Sequence, residues 1–193
     1  NKNISAPEKS WPPAPSINPL LISIHLTEAF LPYALSEDGV TYFKKYGAVG
    51  ARDYHTLNEM KKKNIPCYFS GCLTLTLKND CTKRTNIIYA VDIGENCVNL
   101  IKSKTKNKVI VLTHNIDAKM RFDHPKRLNL AKEILEKYKT AKCVVTSRLH
   151  AALPCLAFNT PVLLIKAENY QSRFDGLQDL VRHCSKKDFL HEN

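Results

Sequence analysis

The chain has 193 residues, of which 44% are hydrophobic and 24% charged, proportions that suit one globular domain or two small lobes and exclude a disordered, collagen-like or wholly coiled-coil chain. No apolar run reaches the roughly 18 residues a membrane span needs, and Pro161–Ile165 is strand-sized. There are 29 Lys+Arg against 18 Asp+Glu, a net charge of +11.

A basic balance points to an anionic partner without saying whether it is nucleic acid, a phosphate-bearing metabolite or an acidic polysaccharide. Much of the charge sits in runs that read as solvated surface, Lys61-Lys62-Lys63 and the lysines from 102 to 108. The sequence has no stacking array of aromatics and no zinc motif, which argues against nucleic acid. The seven cysteines (67, 72, 81, 97, 143, 155 and 184) include no C-x-x-C pair, so they read as free thiols in a reducing compartment rather than as metal ligands. With no signal peptide, a cytoplasmic location is expected. The sequence begins at Asn1 rather than Met, so a fragment or trimmed product is expected, and the sequon Asn3-Ile4-Ser5 has no meaning in an intracellular protein.

In chain order, residues 1–19 hold five of the ten prolines and read as an extended arm or linker. Leu20–Ile24 reads as a buried strand. Ser36 or Asp38 can cap a helix running to Tyr46, stopped by Gly47. Val49–Ala51 is a short strand, and Asp53 can cap a helix with Tyr54, Leu57 and Met60 on its apolar face. Cys67–Phe69 is another strand. Leu77–Thr85 is polar and reads as a hinge, dividing a lobe over 20–84 from a second over 85–193. The second lobe carries strands at Ile87–Val91, Val109–Leu112, Cys143–Val145 and Val162–Ile165. Its clearest helix is Lys126–Tyr138, with Leu128, Ala131, Leu135 and Tyr138 on one face. Further helices start near His150 and run from Gly176 to Arg182. Strands alternating with helices predict an α/β fold with a mostly parallel sheet.

Ligands of such sheets bind at the carboxyl ends of the strands. Four strand ends here carry polar groups: Ser23-Ile24-His25, Gly50-Ala51-Arg52-Asp53, Thr113-His114-Asn115, and Thr146-Ser147-Arg148-Leu149-His150. In the last, Thr146 and Ser147 lead into a helix N-terminus, which favours an anion. Arg148 adds a planar fork for phosphate or carboxylate, and His150 can exchange a proton near neutral pH. The same pattern also fits a capped helix with Arg148 paired to an acidic neighbour. Arg52 and Asp53 repeat it in the first lobe, where a capping Asp beside a surface Arg is the competing reading. His114 and His25 are strand-end histidines that are substrate-binding candidates or structural.

Several stretches together resemble the polysaccharide pyruvyl transferase family: residues 50–56 (GARDYHT), 68–77 (YFSGCLTLTL), 145–154 (VTSRLHAALP), 159–162 (NTPV) and 173–177 (RFDGL). The resemblance spans roughly residues 20–182. It implies two Rossmann-like lobes in a GT-B-like arrangement, the first reduced or truncated because nothing here matches the family's Asn-x-Gly-Asp loop. It implies transfer of a pyruvyl group from phosphoenolpyruvate to the hydroxyls of a saccharide acceptor, giving a ketal, with no metal and no cofactor beyond that donor. On this reading Arg148 and Arg52 would grip the donor's two anionic groups, His150 would move the proton, and Ser147, Thr146, Asp53, His114, Arg173 and His25 would bind substrate. The alternatives are a nucleotide-sugar glycosyltransferase of related fold and a non-catalytic module for anionic glycans.

Overall fold

The computed structural model describes residues 11–81, 83–166 and 172–191. The sequon at Asn3 and the first ten residues of the proline-rich arm lie outside them. The chain divides into two compact units, Asn1–Cys72 with Gln171–Leu177, and Leu73–Tyr170 with Gln178–Asn193.

The first unit contains α1 (Leu31–Ala34), α2 (Glu37–Lys45), β1 (Val49–Ala51), α3 (Tyr54–Lys62) and β2 (Cys67–Phe69). Ser36 caps α2 by accepting the Gly39 N–H, and Asp53 caps α3 by accepting that of Thr56. β1 and β2 pair in parallel. The strand expected over Leu20–Ile24 is reduced to one bridge, Ile24 to Ala51. Ser23 is the cause: it adopts φ +57 and its N–H turns aside to the hydroxyl of Ser70, so extended pairing cannot run through it. The core gathers Leu26, Tyr42, Phe43, Val49, Met60 and Ile65. Trp11, inside the expected arm, docks on this core with its ring 5.3–5.4 Å from those of Phe30, Tyr42 and Phe43. Tyr54, expected on the buried face of α3, is 46% exposed, while Leu57 and Met60 are buried.

The second unit is built on a five-stranded, wholly parallel sheet. In chain order its elements are β3 (Ile87–Val91), α4 (Glu95–Lys104), β4 (Lys108–Leu112), α5 (His124–Thr140), β5 (Cys143–Thr146), α6 (Leu149–Ala157), β6 (Val162–Lys166), β7 (His183–Ser185) and α7 (Lys186–His191). The strand order is β4-β3-β5-β6-β7. Alternation along the strands splits the core between the two faces. Tyr89, Val91 and Val144 pack with Tyr138, Ala151, Cys155 and Phe158 of α5 and α6 on one side. Val145 and Ile165 pack with Cys97, Phe189 and Leu190 of α4 and α7 on the other. An α/β fold with a parallel sheet covered by helices is therefore present.

Two expectations for this unit are corrected. The helix expected from Gly176 to Arg182 is a single 3-10 turn, Gln178–Leu180, and the chain then pairs with β6 as β7. Gly176, which closes the first unit's return segment at φ +75, breaks helical continuity there. α7 follows on a reciprocal cap between Ser185 and Asp188, a Ser-x-x-Asp signal present in the sequence. On α5, Leu128 is 57% exposed, and the buried stripe runs instead through Ile134, Leu135 and Tyr138. Among the described residues no helix is long and apolar enough to cross a membrane.

Asn79 and Arg84, from the polar segment read as a hinge, brace the second unit. Asn79 donates to the carbonyls of Lys139 and Phe158. The Arg84 guanidinium lies within hydrogen-bond reach of the Lys139, Ala141, Phe158 and Asn159 carbonyls and of the Thr160 hydroxyl. It thus places a cation against the C-terminal ends of both α5 and α6, where helix dipoles leave partial negative charge. Arg84→Ala is expected to destabilise the second unit by about 1–2 kcal/mol, seen as a lower urea midpoint. An unchanged midpoint would remove Arg84 from the structural account.

Candidate functional site

β3 leads to β4 on one side of itself, whereas the chain leaving β4 crosses back to place β5 on the other side. The crevice beyond the carboxyl ends of β3 and β5 is therefore the topological switch point of the sheet, where ligands of open α/β folds bind. The residues that follow β3, β4 and β5 meet there, and they are the polar ones.

At the centre is Asp92, one residue beyond β3, held at φ +52, a conformation that Asp tolerates better than most residues. One carboxylate oxygen accepts the Thr113 hydroxyl at 2.6 Å. The other accepts the His114 backbone N–H at 3.0 Å and the Arg148 Nε–H at 2.9 Å. The Asp92 carbonyl accepts the Ser147 hydroxyl at 2.6 Å. Burial opposes ionisation of Asp92, but the hydrogen bonds from Thr113 and His114 and the Arg148 charge outweigh it, holding the carboxyl below its ordinary value. Sequence reasoning passed over this residue, although it is the first polar group after a strand and so at the position where such groups are sought.

Of the expected site residues, five sit in this unit. The competing reading of Arg148 as a paired side chain is present: besides Asp92 it reaches Asn115, donating from Nη2 to Oδ1 at 2.7 Å. The side chain is nonetheless 40% exposed. Thr146 is fully buried, and its hydroxyl accepts the Arg148 N–H, so one of the backbone donors expected to serve an anion is already engaged. The Ser147 proton is directed at Asp92, which leaves that hydroxyl a lone pair to offer. His150 is exposed in the first turn of α6.

His114 is half-buried, its Nε2 2.8 Å from the Tyr138 hydroxyl. Burial raises the Tyr138 pKa far above the ordinary phenol value, so the hydroxyl keeps its proton, and which partner donates in this pair follows the imidazole tautomer. Burial, together with the charges of Arg148 and His150, also holds His114 below the usual imidazole value, against the pull of Asp92. His114 and His150 line a cavity of about 500 Å³ with Thr74, Tyr138 and aliphatic side chains of α5.

The other four candidates belong to the first unit. Asp53 is fully buried. It accepts the Thr56 N–H at 2.9 Å and lies 2.7 Å from Nδ1 of His25. The same oxygen that faces His25 is 3.6 Å from Nε of Arg52, too long for a hydrogen bond, and that Nε is buried without a hydrogen-bond partner among the described residues. Burial lowers the Arg52 pKa from its ordinary value, with the Arg173 charge adding to the effect, so Arg52 and Arg173 lie within electrostatic reach of one another. Asp53 is thus a helix cap that also orients His25 and Arg52. Burial and the Arg52 charge hold His25 below its usual value despite Asp53.

Both histidines contribute a pH dependence of defined sign. The unfolded chain takes up protons near pH 6.5 that His25 and His114 resist in the folded state, so stability is full above about pH 7 and declines as pH falls below about 6.5. His114→Gln is expected to flatten part of the fall in melting temperature between about pH 7 and 5.5. The same slope in variant and wild type would show that His114 charges freely.

Set against known sequences, residues 18–169 match the family model described as Polysaccharide pyruvyl transferase, a range holding every candidate above except Arg173. No curated protein and no solved structure matches the chain. The match covers more than half of the sequence, both β1 to β2 and most of the parallel sheet with its polar switch point, and the chain belongs to the polysaccharide pyruvyl transferase family.

Proposed function

We propose that this transferase takes its pyruvyl group from phosphoenolpyruvate and places it on two hydroxyls of a saccharide as a cyclic ketal. The observation that carries the reading is the convergence, at one switch point, of an exposed guanidinium backed by a carboxylate and two histidines beside a cavity. Phosphoenolpyruvate carries a carboxylate and a phosphate, and the guanidinium of Arg148 suits either. The same reading places the protein in the cytoplasm, where phosphoenolpyruvate is made.

The chemistry then follows in balanced steps. An acceptor hydroxyl oxygen bonds to the central carbon of the donor, and the methylene carbon takes up a proton to become methyl. The carbon–oxygen bond to phosphate breaks, and a second hydroxyl closes the ketal while its proton leaves with inorganic phosphate. His150, exposed and two residues beyond Arg148 in the chain, is assigned the proton transfer. Arg148 neutralises the anion and fixes its orientation, which lowers the barrier by positioning and charge stabilisation.

Phosphoenolpyruvate should raise the melting temperature, and nucleotides or nucleotide sugars should not. Arg148→Ala and His150→Ala should each lower phosphate release in the presence of acceptor by about 10²–10⁴-fold while the fold is kept. Stabilisation by a nucleotide sugar alone would favour a glycosyltransferase. Salt-sensitive polyanion binding indifferent to His150→Ala would favour a glycan-binding module.

A further inference from the structure

Arginine offers two edges to a planar anion. The side-on edge carries the Nε–H and one Nη2–H; the end-on edge carries one Nη1–H and the other Nη2–H. In Arg148 the Nε–H donates to Asp92 Oδ2 and an Nη2–H donates to Asn115 Oδ1. Neither partner is free to drift. Asp92 is tied through its second oxygen to Thr113 and through its carbonyl to Ser147, and the Asn115 backbone N–H is tied to the Thr113 hydroxyl. Groups from the ends of β3, β4 and β5 thus hold one guanidinium, and its side chain stays 40% exposed.

We propose that Asp92, with Asn115, is a positioning residue for donor capture: it fixes the Arg148 guanidinium so that its remaining N–H groups meet one anionic group of the donor. This rests on the function proposed above. Asp92 itself touches no donor atom. Its part is to hold the fork in one plane before the anion arrives, so that less side-chain freedom is lost on binding. It also explains why a left-handed aspartate stands at this strand end, since a carboxylate reaching both Thr113 and Arg148 requires the chain to turn sharply after Val91.

The test uses two replacements that tolerate φ +52. Asp92→Gly removes the carboxylate and is expected to weaken phosphoenolpyruvate binding by about ten- to a hundredfold, measured by titration calorimetry. Asp92→Asn, whose amide oxygen can keep the bonds to Arg148 and His114 while its amide nitrogen donates to Thr113, is expected to recover most of that loss. On an Arg148→Ala background, Asp92→Gly should weaken binding no further, since it acts through the guanidinium. An equal loss on both backgrounds, or wild-type affinity in Asp92→Gly, would overturn the proposal.

Should Asp92→Gly fail to fold, Asn115→Ala carries the same double-mutant comparison from the exposed side of the clamp. A nitrogen NMR signal from Arg148 Nε–H, slow to exchange in the wild type and fast in Asp92→Gly, reads the clamp without any ligand. If the wild type does not bind phosphoenolpyruvate, the proposed function falls, and the clamp stands or falls on that signal alone.

Discussion

A parallel sheet covered on both faces has only its ends through which to meet a ligand, and at the carboxyl end of this one the strands finish within reach of a single carboxylate. Asp92 accepts hydrogen bonds from the ends of β4 and β5 while belonging to the end of β3. A buried anion is tolerated only when its lone pairs are filled and a cation stands near. Both conditions are met by residues that the candidate site also uses. Order at the polar end of the second unit thus rests on residues of the candidate site.

The net charge of +11 takes on a narrower meaning in this light. The lysines of 61–63 and Lys102, Lys104, Lys106 and Lys108 are exposed, as solvated surface charge is. Two arginines differ from these lysines in being restrained. Arg148 is held by two partners, and Arg52 has its Nε buried over Asp53. Field strength at a point depends on such fixed groups far more than on a mobile lysine sheath, which salt screens.

Much of this was legible in the sequence, for physical reasons. β3, β5 and β6 are apolar runs bounded by polar groups, and a strand buried on both faces has to look like that. The caps Ser36 and Asp53 announce themselves because a helix start needs an acceptor for its orphan N–H groups. What stayed hidden depends on the third dimension. Ser23 breaks a strand by a backbone angle that its side chain does not advertise. β7 exists because β6 offers an unpaired edge, and three residues of His-Cys-Ser carry no period of their own. Asp92 sits between Val91 and Ile93 in an otherwise apolar stretch, and only the switch-point topology gives that single acid its importance.

The Arg84 brace has a temporal side as well. It joins residue 84 to carbonyls 55 to 75 positions further along the chain, past α4 and along α5 to Lys139 and past α6 as well to Asn159, helices that must already be in place. Contacts of such long sequence separation are entropically expensive until the loops between them have closed. Arg84 is therefore a latch and not a nucleus: it sets how slowly the formed unit opens, and leaves the speed of its assembly to the local strand–helix pairs.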